Sequence, residues 1–119
     1  MYDKNNIFAR IIRKEIPSKL LYEDEIMIAF NDINPVAPVH VLVVPKGEFK
    51  DYTDFVTNAP HEVQITFFQN VAKIAKSLCD DNFKLCTNNG PKSGQTVFHF
   101  HVHIIGGGVF VGDKLTSGV

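Results

Sequence analysis

Three histidines occupy alternate positions in the run Val97-Phe98-His99-Phe100-His101-Val102-His103-Ile104-Ile105. The residues between and around them are aromatic, β-branched or aliphatic, the composition of a strand. Side chains alternate with period two along a strand, so His99, His101 and His103 share one face. Phe98, Phe100, Val102 and Ile104 take the other, which can only be a hydrophobic core. The pattern predicts a strand over residues 97–105 that buries one face and leaves the histidine face to ligand or solvent.

The rest of the chain supplies partners for that strand. Asn6 is placed to cap a short helix over residues 7–13, which must stop before Pro17. Residues 20–23 and 26–30 flank the acidic turn Asp24-Glu25 and read as a hairpin. The loop Asn31-Asp32-Ile33-Asn34-Pro35 leads to a β-branched strand over residues 40–45, closed by Pro45. Residues 46–58 are polar and aperiodic, a loop with a helical turn. From Pro60, Phe67, Phe68, Val71, Ile74, Ala75 and Leu78 recur at spacings of three and four, predicting a long helix with one apolar stripe. Residues 83–87 form a further strand, and residues 88–94 are a Gly/Pro/Asn loop. Gly106-Gly107-Gly108 ends the pattern, and residues 109–119 read as a loosely held tail. With 119 residues, no internal repeat and no linker, the chain reads as one α+β domain with a core over residues 5–108. Short connections favour an antiparallel meander with helices on one face, the long helix covering Phe98, Phe100, Val102 and Ile104.

Charge narrows the function. The net charge is −1, with Lys and Arg scattered singly or in pairs, so no stripe exists for a nucleic acid polymer. The opening Met1-Tyr2-Asp3-Lys4-Asn5-Asn6 lacks the features of a signal peptide, and no apolar run approaches the ~18 residues of a membrane span. A cytoplasmic location is expected. Cys79 and Cys86 match neither a redox pair nor a zinc knuckle and read as reduced thiols.

Three readings of the histidines compete. As metal ligands they suit Zn²⁺ or Cu²⁺, with His40 or Cys86 as a conceivable fourth. Alternate Cα atoms on a flat strand are roughly 6.5–7 Å apart, however, so three in a row fit tetrahedral geometry poorly. As mere sheet surface, three of the chain's five histidines within five residues would be an odd accident, and protonated neighbours would repel. His61, at a helix start among polar residues, is solvated. As a phosphate site, a neutral imidazole is a competent nucleophile toward phosphorus, and its neighbours can donate hydrogen bonds. The preceding loop, Asn88-Asn89-Gly90-Pro91-Lys92-Ser93-Gly94-Gln95-Thr96, is not a P-loop. Yet Gly94 allows close backbone approach, and Gln95 and Thr96 offer donors.

The run His99-Phe100-His101-Val102-His103-Ile104-Ile105 resembles the signature of the histidine-triad (HIT) proteins. Residues 8–17, 30–35 and 38–46 resemble other segments of the same family, so the likeness spans about residues 5–108. It is most similar to the Hint branch, the nucleoside phosphoramidate hydrolases. Gly106-Gly107 stands where the dinucleoside polyphosphate branch usually has Pro-Arg, and Phe100 and Val102 stand where the transferase branch has prolines. The resemblance implies that His101 is the nucleophile that attacks the α-phosphorus and becomes nucleotidylated. It implies that His103 binds the phosphate and assists the leaving group, while His99 and His40 orient and tune the nucleophile. Asp32 would bind the ribose hydroxyls and Ile33 line the base pocket. Asn88, Gly94, Gln95 and Thr96 match phosphate-binding positions. His101 should then donate from one ring nitrogen to a backbone carbonyl, which fixes its tautomer. The family implies a homodimer with one continuous sheet, a purine nucleotide substrate and no obligatory cofactor, zinc binding being possible but not favoured. The rivals are a non-catalytic nucleotide- or zinc-binding regulator and a dinucleoside polyphosphate hydrolase. Thr96 replaces a common Ser, and the tail lacks the tryptophan of some Hint proteins.

Overall fold

The computed structural model describes residues 1–108; the expected tail lies outside the described residues. Helix α1 (Ile7–Ile12) starts where Asn6 accepts the Ala9 N–H, and it ends with Lys14 at φ 64°, before Pro17 is reached. Strands β1 (Leu20–Glu23) and β2 (Met27–Asn31) form the expected hairpin. Asp24 closes it by accepting the N–H groups of Ile26 and Met27. Strand β3 (Val39–Pro45) follows, then α2 (Tyr52–Asn58), α3 (His61–Cys79), β4 (Phe83–Cys86), a 3₁₀ turn (Pro91–Ser93) and β5 (Val102–Gly106). The polar segment expected as a loop with one turn holds a seven-residue helix, capped by Asp51 and anchored by the fully buried Phe55. No helix among the described residues is long and apolar enough to cross a membrane.

All strand pairs are antiparallel, in the order β1-β2-β3-β5-β4. This departs from a consecutive meander. The chain leaves β3 through α2 and α3 and returns at the sheet edge as β4. Strand β5 then fills the gap between β3 and β4, so the histidine strand is interior, paired on both sides.

Helices cover both faces, not one. Strands β2 and β3 are apolar at successive positions, so each buries both sides. Met27, Ala29, Val41 and Val43 pack with Phe55, Phe67, Val71, Ile74, Phe100, Val102 and Ile104 under α2 and α3. Ile28, Phe30, Leu42 and Val44 pack on the opposite side against Phe8 and Ile11 of α1. The histidine face is thus roofed rather than open.

The strand expected over 97–105 is laddered only from Val102. Continuing the β3–β5 register beyond Val43↔Val102 brings up Pro45, which has no N–H to offer. The chain before Val102 bonds elsewhere instead, the Phe100 N–H donating to the Phe49 carbonyl at 2.7 Å. Alternation nevertheless persists through Phe100. Phe98 is the exception: it is 39% exposed and lies outside the core it was expected to join.

Candidate functional site

His40, His99, His101 and His103 are all at most 7% exposed. Burial disfavours the imidazolium form, so each ring is held neutral below its ordinary range. The hydrogen bonds of neutral rings can be read for direction.

His101 lies against the edge of Phe8, with ring centroids 4.9 Å apart. Its Nδ1–H donates to the His99 carbonyl at 2.7 Å, which accepts only. The lone pair is therefore on Nε2, which receives no hydrogen bond from a described residue. Burial pushes the His101 pKa down, opposed by the His99 carbonyl and Asp32, so the lone pair is available at neutral pH.

A relay sets the neighbouring ring. The backbone N–H of Val36 donates to His40 Nδ1 at 3.1 Å, leaving the proton of His40 on Nε2. That Nε2–H donates to His103 Nδ1 at 2.9 Å. His103 must then carry its own proton on Nε2, a buried atom without a hydrogen-bond partner among the described residues. Its pKa falls to about 4, first through burial and then through the neighbouring His101 and His40. The ring centroids of His101 and His103 are 5.2 Å apart. One ring offers a free lone pair and the next a free N–H, which is the pairing a transferred phosphoryl group requires.

His99 is fully buried, its Nε2–H donating to the Pro45 carbonyl at 2.6 Å and its Nδ1 facing the Tyr2 hydroxyl. Its pKa is lowered to about 4, chiefly by burial. Asp32 joins the cluster at one corner. Its Oδ1 accepts the Asn34 N–H at 2.8 Å in an Asx turn, and its Oδ2 lies 3.4 Å from His40 Nε2. Ile33 beside it is 90% exposed, an apolar side chain without a packing partner in the core.

The loop residues are less tightly joined to the histidines. Asn88 is half-buried beside the Cys86 thiol, and Thr96 is exposed. Gly94 ends the 3₁₀ turn at φ 96°, a conformation that favours glycine. Gln95 was expected to offer its side chain to phosphate, but that side chain is committed within the protein. Its oxygen accepts the Gly90 N–H at 2.8 Å, and its nitrogen donates to the carbonyls of Lys50 and Val97. It holds the loop's shape rather than presenting a free donor. Phe8, Val36, Thr87 and Tyr2 were not singled out from the sequence. The Thr87 hydroxyl donates to the His101 carbonyl at 2.7 Å, tying the residue after β4 to the His101 backbone.

Asp32, His40 and His103 each offer one ligand atom within 4.8 Å of the others. One carboxylate and two neutral imidazoles are a donor set suited to a divalent zinc ion. Binding there would have to displace the proton shared by His40 and His103.

The fold is α+β, an antiparallel sheet with four buried imidazoles gathered on one side of it. The chain belongs to the HIT family: the HIT domain model matches residues 13–109. An uncharacterized HIT-like protein of Rickettsia prowazekii is 50% identical over 94% of this chain and 95% of its own length. The purine nucleoside phosphoramidase of Escherichia coli K12 is 38% identical over 87% and 88%. A 14 kDa zinc-binding protein of Zea mays is 41% identical over 88% and 84%. Among solved structures, a HIT family hydrolase from Clostridium thermocellum superposes with a TM-score of 0.79 at 40% identity, over 95% and 98%.

Proposed function

We propose that the protein hydrolyses purine nucleoside 5′-phosphoryl compounds at the bond from the α-phosphorus to its leaving group: the P–N bond of phosphoramidates such as adenylated amines, and the P–O bond of aminoacyl adenylates. The observation that carries this reading is the His101 Nδ1–H bond to the His99 carbonyl, which leaves Nε2 as a free nucleophile. His101 Nε2 attacks the α-phosphorus, an N–P bond forms, and the bond to the leaving group breaks, an amine departing with a proton from solvent that the later attack of water returns. The nucleotidyl ring is then cationic, and the His99 carbonyl facing Nδ1–H stabilises it. Water next attacks phosphorus, releasing the nucleoside monophosphate and restoring His101. The free Nε2–H of His103 supports a role in donating to a phosphoryl oxygen or to the departing group. In this reading Asp32 accepts from the ribose hydroxyls, Ile33 meets the base, and Asn88, Gly94 and Thr96 line the phosphates, with Gln95 bracing that loop. The protomer pairs with a second copy along β4, the sheet edge, where Leu85 is 45% exposed.

A second reading has one observation behind it. The Asp32, His40 and His103 cluster can hold zinc, and one relative is named for zinc binding, so a non-catalytic metal-binding regulator is the rival. A turnover panel separates the two. Adenosine phosphoramidate, aminoacyl adenylates and a dinucleoside polyphosphate are each incubated with the protein, with and without a chelator. Release of AMP from the phosphoramidate, faster than from the dinucleoside polyphosphate and undiminished by chelation, is expected. Ligand binding without product release, or a stoichiometric metal whose removal destroys the site, supports the regulator.

The relay adds its own prediction. His40→Ala removes the N–H that fixes the His103 tautomer and should lower kcat on the order of 10²-fold. His40→Gln, whose amide nitrogen can reach toward the same ring, should retain more activity. Equal loss in both variants would indicate that packing, not the proton, is what His40 supplies.

A further inference from the structure

The nucleophile is oriented by a backbone carbonyl, so whatever fixes the residue bearing that carbonyl also fixes the nucleophile. That residue is His99, the one histidine of the triad with both ring nitrogens hydrogen-bonded. The Pro45 carbonyl can only accept, so His99 Nε2 carries the proton. Nδ1 is then a lone pair in a fully buried ring, and its partner must donate. The partner is the Tyr2 hydroxyl, 2.5 Å away, from a residue 97 positions distant in sequence. The two rings also meet edge to face, with centroids 5.6 Å apart.

Tyr2 is built into this position. Asn6 caps α1 and donates from its side chain to the Asp3 carbonyl at 2.7 Å, curling residues 3–6 into a turn. The Lys4 ammonium donates to both carboxylate oxygens of Glu48, at 2.8 and 2.9 Å. The Arg13 guanidinium donates to the Lys4 carbonyl at 2.8 Å. Glu48 adjoins Phe49, whose carbonyl takes the Phe100 N–H. The N-terminal segment and the last residue of β3 thus grip His99 from its two nitrogens, and the Lys4–Glu48 pair ties that N-terminal segment to the stretch that follows β3.

We propose that Tyr2 is a positioning residue: its hydroxyl locks the tautomer and orientation of the His99 ring, and through the His99 carbonyl it holds His101 in its attacking geometry. This rests on the phosphoramidase reading for its effect on rate, but not for its effect on the rings. Tyr2→Phe keeps the edge contact and deletes one oxygen, leaving His99 Nδ1 as a buried acceptor without a donor. Small displacements of reacting groups cost large factors in rate, so kcat should fall roughly tenfold with KM held within about twofold.

The test joins kinetics to nitrogen NMR on the ligand-free ¹⁵N-labelled protein. In the wild type, His99 should titrate as the Nε2–H tautomer with a hydrogen-bonded Nδ1. In Tyr2→Phe, its Nδ1 resonance should move toward the value of an unbonded imidazole nitrogen, and the His101 Nδ1–H resonance should shift with it. Unchanged His99 and His101 nitrogen resonances in a folded Tyr2→Phe protein would overturn the proposal, as would a Tyr2→Phe kcat equal to that of a wild type that turns over. A wild type with no turnover sinks the phosphoramidase reading alone, and the nitrogen resonances then decide the Tyr2 role. Should Tyr2→Phe fail to fold, the wild-type spectrum decides: a His99 protonated on Nδ1, or lacking a bond there, refutes the lock.

Discussion

His101→Ala is expected to reduce steady-state AMP release from adenosine phosphoramidate by about 10⁴-fold or more, while the protein stays folded. Removing a covalent nucleophile deletes the intermediate itself, and such losses are among the largest single-residue effects known in enzymes. What remains would come from the phosphate-binding groups acting on a direct attack by water. The fold should tolerate the change because His101 contributes little to either apolar cluster. Its ring meets Phe8, the His103 ring and the His99 carbonyl, and it is a member of neither cluster. Denaturing mass spectrometry of the wild type, quenched during turnover, should show added adenylyl mass on the peptide holding residues 99–103. The same peptide from His101→Ala should carry none. His103→Ala should lose less, on the order of 10²-fold, because it removes a donor but not the bond-forming atom. Full-speed hydrolysis by His101→Ala, with the mutant's folding verified by its melting curve, would remove the basis for covalent catalysis at this ring.

How far the sequence foretold the site depends on which physical interaction made each contact. Period-two alternation correctly separated His99, His101 and His103 from Phe100, Val102 and Ile104, because pleating leaves side chains no other choice. It overruns at Phe98, since alternation carries no information about where a partner strand stops offering N–H groups, as β3 does at Pro45. The continuous apolar run of β3 already holds the reason for two covered faces, whereas three polar histidines by themselves suggest an open one. The role of Gln95 could not be read from its type. An amide can serve a ligand or a backbone, and only the proximity of Gly90, Lys50 and Val97 decides. The donors that set the tautomers were harder still. Val36 acts through its main chain, and Tyr2 comes from the far end of the sequence, so neither leaves a local pattern. The His101 and His40 tautomers are set by neighbours two and four residues away, whereas those of His99 and His103 depend on partners 54 and 63 residues distant.

The same alternation that makes the site also makes it fragile, and Phe100→Ala should reveal this. Phe100 stands between His99 and His101 and points the opposite way, 1% exposed. It stacks on Phe55 with centroids 4.7 Å apart and planes at 23°, and it meets Phe67 at 5.7 Å. Truncation removes the transfer energy of a whole ring and leaves a cavity that Phe55, itself fully buried, cannot readily fill. A cost of about 3–5 kcal/mol is expected, a large share of the ~5–15 kcal/mol typical of a domain. The melting midpoint should fall by about 15 °C. Phe100→Leu keeps most of the volume and should cost no more than about 1.5 kcal/mol. Because the residue's backbone joins the two histidines, kcat in the leucine variant, measured well below its melting range, should fall more than stability alone explains. Repacking against Phe55 should displace residues 99–101 together, and with them His101, the proposed nucleophile. An alanine variant melting within about 3 °C of the wild type would mean that the strand's two faces are not mechanically joined, and that the histidines are held by their hydrogen bonds alone.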